Sequence, residues 1–221
     1  MQEKLNKENQ NDQSEPNEQS DNENKKRNNE IVSFIKTAAI FLVLWLFIRG
    51  TIIEAFKIPS GSMIPTLQIG DYLLVNKLAY GIRLPFVDNA VYEYSKPKRG
   101  DIVVFTKEDI DSEEEENMNF IKRVIAVEGD KVSLKNMIVY INGEPTHEDY
   151  AQWVYGGLPS GEFDEITVPK GHIFLLGDNR DRSKDSRYWN SHFLPTKRVK
   201  GKALFIYWSF NDLKRIFNVI K

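Results

Sequence analysis

The pattern of apolar and polar positions changes character twice along the chain of 221 residues. Residues 1–30, "MQEKLNKENQNDQSEPNEQSDNENKKRNNE", are dominated by Asn, Gln, Glu and Ser and carry almost nothing to bury, which predicts a disordered tail. "IVSFIKTAAIFLVLWLFIRGTII", residues 31–53, follows as a near-continuous apolar run. Its uncharged centre, residues 37–48, is too short at ~1.5 Å per residue for a ~30 Å hydrocarbon core. The full 31–53 stretch is long enough if Lys36 and Arg49 extend toward the two interfaces. It is therefore expected as a single transmembrane anchor. A cleaved secretory signal and a buried core helix are the alternatives, but a signal seldom follows so long a polar tail. Lys25, Lys26, Arg27 and Lys36 precede or open the span and Arg49 and Lys57 close it, so the positive-inside tendency predicts a cytoplasmic N-terminus. The remainder would then lie on the outer side of the plasma membrane.

From Glu54 onward the periodicity is that of strands. "DYLLVNKLAY", "DIVVF", "FIKRVIAV", "KVSL", "MIVYING", "EITVP", "HIFLLGD" and "KALFIYWSF" are β-branched or aromatic runs punctuated by Gly, Pro and Asn. The expectation is a mainly β fold over residues 54–221, an antiparallel sheet partly closed as a barrel. Residues 108–116 read as a loop. A small irregular insertion is expected over about 131–168, centred on the stretch 143–165. Near the C-terminus Leu213, Ile216, Phe217 and Ile220 recur at helical spacing, which predicts a short helix packed on the domain.

Composition refines this picture at three points. The net charge of −2 conceals a tail at −3 and a remainder at +1, and seven acids fall within "EDIDSEEEE" at 108–116. Without that loop the folded part is near +8, a modestly basic body suited to anionic lipid, although ordinary solvated surface accounts for it as well. The absence of cysteine excludes disulfides, thiol catalysis and thiolate metal sites. No dinucleotide glycine motif, phosphate loop or internal repeat is present, and no nucleic-acid partner is implied.

Three segments offer chemistry. "PSGSMIP", residues 59–65, is a polar break that local chemistry reads as a turn, yet it holds Ser60 and Ser62. A catalytic serine needs a base and oxyanion donors. None of the three histidines, His147, His172 and His192, sits in a local pattern that links it to Ser62. "NFIKRVIAVEGD" offers Lys122 instead. On a strand it shares a face with Phe120, Val124 and Ala126, and burial among them would disfavour its charged form. Arg123, on the other face, cannot deprotonate usefully. A solvated lysine at a strand edge is the plainer reading of this segment alone. "LLGDNRDRSKDSRYW", residues 175–189, reads first as an ionic and hydrogen-bonded loop scaffold.

Taken together, "IPSGSMIPTL" with "GDYLLVNKLAYG", then "KRGDIVVF", "FIKRVIAVEGD", "GDNRDRSKDSR" and "VKGKALFIYWSF" resemble the type I signal peptidases of peptidase family S26. These are membrane-anchored serine proteases that remove signal peptides from exported proteins. The resemblance spans most of residues 56–210 in the family's order. It implies Ser62 as nucleophile, Lys122 as general base, and Ser60 as an oxyanion donor beside the Ser62 backbone N–H. It further implies that Ser183 orients the lysine amine, with Asp185 and Arg187 as a supporting pair. Phe56, Ile58, Met63, Leu67, Phe120 and Ile121 fall where the family builds apolar pockets for small residues at the −1 and −3 positions of a preprotein. No metal or organic cofactor is implied, and the expected state is a monomer in contact with membrane lipid. After "DSRYW" the family commonly has glycine, whereas Asn190, Ser191 and His192 follow here. The rival readings are an inactive membrane-anchored export accessory on the same scaffold and a self-cleaving Ser/Lys repressor-type protease.

Overall fold

The computed structural model describes residues 18–82, 91–106, 119–154 and 161–220, so the acidic run 108–116 and most of the polar tail lie outside the described residues. The chain divides into two compact units, residues 1–46 and 47–221.

A single long helix, α1 (Glu18–Thr51), carries the N-terminal apolar run. Within it Lys25–Thr51, 27 residues, is long and apolar enough to cross a membrane. At ~1.5 Å per residue that stretch extends about 40 Å, beyond the ~30 Å hydrocarbon core. Its Ile, Leu, Val, Phe and Trp side chains from Ile31 to Ile48 are exposed, as a segment solvated by lipid requires. The helix starts at Glu18, upstream of the apolar run and inside the stretch read from sequence as tail.

The second unit is built from short antiparallel strands: β1 (Ile53–Lys57), β2 (Asp71–Asn76), β3 (Gly81–Ile82), β4 (Tyr92–Glu93), β5 (Ile102–Thr106), β6 (Asn119–Val127), β7 (Lys131–Lys135), β8 (Ile138–Ile141), β9 (Glu144–Pro145), β10 (Phe163–Thr167), β11 (His172–Leu176), β12 (Leu194–Pro195) and β13 (Val199–Ser209). Seven of them form one sheet in the order β1-β2-β13-β5-β6-β11-β12. The terminal strands β1 and β12 do not pair with each other, so the sheet is open and no closed barrel is found among the described residues. The region 131–168, expected as an irregular insertion, contains a second sheet in the order β10-β7-β8-β9.

Alternation of side chains along β5 and β6 separates the core into layers. Ile102 and Val104 join Ile58, Met63, Leu67, Leu73 and Val75 on one face. Val103, Phe105 and Val124 join Ile173, Leu175 and Trp189 on the other. Beyond residue 124 the long strand β6 leaves the first layer, and Ile125 and Ala126 pack with Phe174 and Leu176 under the second sheet. β6 is thus covered on both faces, which explains why it reads as an almost unbroken apolar run.

The predicted C-terminal helix is replaced by one 3-10 turn, Leu213–Arg215, capped by the Asp212 side chain accepting from the Lys214 N–H. Phe217 adopts φ 65°, and Val219 bridges Phe205 of β13. Arg215 is drawn inward by Asp71, at 2.7 Å, and by the Thr66 carbonyl at 2.9 Å. This tether breaks the helical register, so Leu213, Phe217 and Val219 remain exposed while Ile220 packs against the core.

Candidate active site

Three pieces of chain meet at Ser62. The first is the turn between β1 and β2. Ile58 N–H donates to the Asp71 carbonyl at 2.8 Å and Gly70 N–H returns to the Ile58 carbonyl at 3.0 Å, closing the base of the turn. Inside it, Ile64 N–H reaches the Gly61 carbonyl at 3.2 Å and Leu67 N–H the Met63 carbonyl at 2.8 Å. Met63 and Leu67 plug the core, holding Ser62 in a buried position. Polar turn residues and apolar anchors therefore divide the labour within one short segment.

The second piece is β6. Both basic residues of "KR" are buried, Lys122 to 3% and Arg123 to 1% exposure. The strand presents them to opposite sides, and both sides are covered. Arg123 is compensated by a bidentate ion pair with Asp178, 2.8 Å and 2.7 Å, by the Gly100 carbonyl at 3.1 Å, and by the Tyr150 ring 3.8 Å from its guanidinium carbon. Lys122 has no such partner. Its Nζ lies 2.8 Å from Ser62 Oγ, a residue 60 positions away, and 3.0 Å from the Ile121 carbonyl. Burial pulls the Lys122 pKa down to about 8, against the opposing pull of the Asp185 and Asp178 carboxylates. A neutral amine is accessible at that value, and a neutral amine can accept the serine proton.

The third piece is the loop after β11. Gly177 has no side chain where one could not fit: a Cβ there would lie 2.5 Å from the Ser62 carbonyl oxygen and from Ser183 Cβ, and closer still to Ser183 Oγ. The close approach lets Asn179 N–H donate to the Ser62 carbonyl at 3.1 Å, and Asn179 Nδ2 to the Gly61 carbonyl at 3.0 Å. Asp185 is fully buried and accepts from Gly177 N–H at 3.0 Å. It also holds Arg187 through bonds of 2.8 Å and 3.0 Å, and Arg187 in turn reaches the Arg180 carbonyl at 2.6 Å. Thr66 Oγ1 donates to Asp178 at 2.5 Å, which ties the turn to the loop. Outside this loop, residues 146–154 lie across it as a strap: Gln152 N–H donates to the Asp178 carbonyl at 2.7 Å, and Glu148 pairs with buried Arg180 at 2.8 Å.

The geometry sorts the residues singled out from sequence. Ser62 and Lys122 are in hydrogen-bond contact. Ser60 is exposed in the same turn. Ser183 is buried with its hydroxyl unpartnered, and the Lys122 amine bonds to Ser62 and Ile121 rather than to it. Asp185 and Arg187 form a buried pair beneath the loop. Of the residues expected to shape apolar pockets, Ile58, Met63 and Leu67 are packed core, Phe56 and Ile121 are partly buried against that same cluster, and Phe120 belongs to the other layer, stacked on Phe105. Arg180 serves the ionic scaffold expected of its segment, whereas Asn179, Glu148 and Tyr150 were not among the residues singled out from sequence. The only available signal was that "GDNR" follows a buried-looking strand, which cannot say which backbone atoms the loop will reach. His147, paired with exposed Asp149, and His192, whose Nδ1 is 2.7 Å from the Ser186 carbonyl, make no hydrogen bond to Ser62. Among the described residues no cluster of three or more His, Asp or Glu side chains could hold a metal ion.

A family model described as signal peptidase, peptidase S26, matches residues 31–208. The chain belongs to this family. Among its relatives, signal peptidase I of Pseudomonas aeruginosa is 37% identical over 217 residues, covering 83% of this chain and 75% of that protein. Signal peptidase I of Leptolyngbya laminosa is 35% identical and covers 85% of each chain. That of Bacillus licheniformis is 33% identical, covering 86% of this chain and 95% of its own. The match to the S26 model includes the turn, β6 and the post-β11 loop, so the three pieces that meet at Ser62 all lie inside the matched residues.

Proposed function

We propose that Ser62 and Lys122 carry out the signal peptidase activity of this chain as nucleophile and general base. The observation that carries the assignment is the 2.8 Å contact between Lys122 Nζ and Ser62 Oγ in a buried site, with no histidine hydrogen-bonded to the serine. As Ser62 Oγ attacks the scissile carbonyl, its proton passes to the neutral Lys122 amine, and the carbonyl electron pair moves onto oxygen. The Ser62 N–H and the Ser60 hydroxyl receive that oxyanion. Collapse expels the amine of the mature protein, protonated by Lys122, and leaves an acyl-enzyme. Lys122 then takes a proton from water, whose oxygen attacks the acyl carbon and releases the signal peptide.

The substrate is an exported preprotein that adds to the site as an extended strand, with small residues at −1 and −3 beside Phe56 and Ile121. The partly buried state of these two side chains supports this, since fully packed residues such as Met63 offer no open surface. α1 anchors the enzyme as a monomer in the plasma membrane, with the amino end cytoplasmic and the β unit outside, in contact with lipid. The excess of Lys and Arg before the span supports that orientation. An inactive accessory protein would have no need to bury an uncompensated lysine against a serine hydroxyl.

Processing of a preprotein by wild type, Ser62→Ala and Lys122→Ala, with folding checked by circular dichroism, tests the assignment. Both variants should fold and leave the preprotein intact. Normal cleavage by either would overturn it.

A further inference from the structure

The same loop that brings Asp178 to Arg123 places Asn179 against the nucleophile's backbone. Resting on the reading of Ser62 as nucleophile and its N–H as oxyanion donor, we propose that Asn179 is the positioning residue that fixes the Gly61–Ser62 peptide plane for oxyanion binding. The Gly61 carbonyl and the Ser62 N–H belong to one planar group, so whatever fixes the carbonyl fixes the direction of the N–H.

Two donors converge on that carbonyl, Ile64 N–H at 3.2 Å and Asn179 Nδ2 at 3.0 Å, and so occupy both of its acceptor sites. On the far side of the same residue, the Ser62 carbonyl accepts Asn179 N–H at 3.1 Å. Asn179 thus grips the peptide planes on both sides of the Ser62 α-carbon. A hydrogen bond to the carbonyl also polarises the amide and makes its N–H a stronger donor.

Asn179 is itself held. It is 3% exposed, and its neighbour Arg180 is anchored at Nε by the Gly177 carbonyl at 3.1 Å and at its guanidinium by Glu148. The Asn179 backbone bridges Gln152 of the strap. Its Oδ1 is buried without a hydrogen-bond partner. Leaving an amide oxygen unsatisfied costs stability, so the side chain is kept for what its NH2 does. Serine or alanine would remove that cost, and neither could reach the Gly61 carbonyl in the same way.

The test compares the full-length enzyme with Asn179→Ala and the near-isosteric Asn179→Leu, which removes the donor without adding a charge near Lys122. With a peptide substrate carrying alanine at −1 and −3, kcat should fall about 10- to 100-fold, KM should change by less than about threefold, and the pH midpoint should stay where wild type has it, because Lys122 is untouched. The second readout is inhibition by the matching peptide aldehyde. Ser62 Oγ adds to the aldehyde carbon, the π electron pair moves to oxygen, and the serine proton goes to Lys122, leaving a tetrahedral oxygen in the oxyanion site. Affinity for the aldehyde should fall by the same factor as kcat/KM, whereas affinity for the corresponding peptide alcohol, which forms no adduct, should not change.

Unchanged kcat, a defect confined to KM, a displaced pH midpoint, or equal losses for aldehyde and alcohol would each overturn the proposal. Loss of the cooperative melting transition in both variants would also overturn it, in favour of a purely structural role. The underlying reading fails separately: Ser62→Ala would still cleave, or the aldehyde adduct would map to another residue.

Discussion

The position of Lys122 makes a quantitative demand on pH dependence. With its pKa lowered to about 8 by burial, only about one-tenth of the free enzyme holds a neutral amine at pH 7. The profile of kcat/KM should therefore rise about tenfold per pH unit below the midpoint and level off above it. The full-length protein in detergent micelles, assayed on a fluorogenic peptide between pH 6 and pH 10, provides the measurement. A midpoint near the ordinary lysine value of 10.5 would mean that burial does not act as described, and activity undiminished at pH 6 would remove Lys122 as the base. Stability supplies an independent check with the same sign. Between about 8 and 10.5 the unfolded chain holds a proton on Lys122 that the folded protein has released, so the lysine's contribution to stability rises with pH across that window. At about 1.4 kcal/mol per pKa unit, the difference amounts to about 3 kcal/mol. Because other groups titrate as well, the quantity to measure is the gap between wild type and Lys122→Met in denaturant unfolding. That gap should shift in favour of wild type from pH 7 to pH 10.5, and a constant gap would mean that folding does not lower the Lys122 pKa.

Three further outcomes follow from the packing. Asp178→Asn leaves the buried Arg123 guanidinium without its charge partner and should destabilise the β unit by about 3–5 kcal/mol, read as a lowered urea midpoint. Gly177→Ala forces a Cβ against the Ser62 carbonyl and Ser183, so peptide cleavage should fall at least about 100-fold even at permissive temperature; retention of more than a tenth of wild-type kcat would show that the loop can yield. Phe174→Ala opens a cavity between the two sheets and should cost about 3–5 kcal/mol in chemical denaturation, with the pH midpoint of cleavage unchanged wherever the variant remains folded.

Local pattern alone determined a good deal. The apolar span within α1, the strand character of the chain after Glu54, the turn at Ser60 and Ser62, and the strand placement of Lys122 all follow from periodicity and turn chemistry acting over a few residues. Where it failed, the cause was a partner remote in sequence. The C-terminal apolar spacing fits a helix, but Arg215 is captured by Asp71 and Thr66, and that tether outweighs a weak helical preference over a short segment. In the region 131–168 the strands "KVSL", "MIVYING" and "EITVP" were legible one by one, but not the pairing between β7, β8 and β10 that makes them a second sheet.

Lys122 shows the division most plainly. Its strand and face are written in the alternation of "NFIKRVIAV", but whether a lysine there is solvated or neutralised depends on what covers it, and no local pattern encodes that. Tertiary structure decided the matter by closing both faces of β6, giving Arg123 a carboxylate and Lys122 only a serine hydroxyl and a carbonyl. Asn179 belongs wholly to the same category. An asparagine in a charged loop has no local signature of the carbonyl it will reach, because that contact with Gly61 spans 118 residues and exists only once the turn, β6 and the post-β11 loop have packed together.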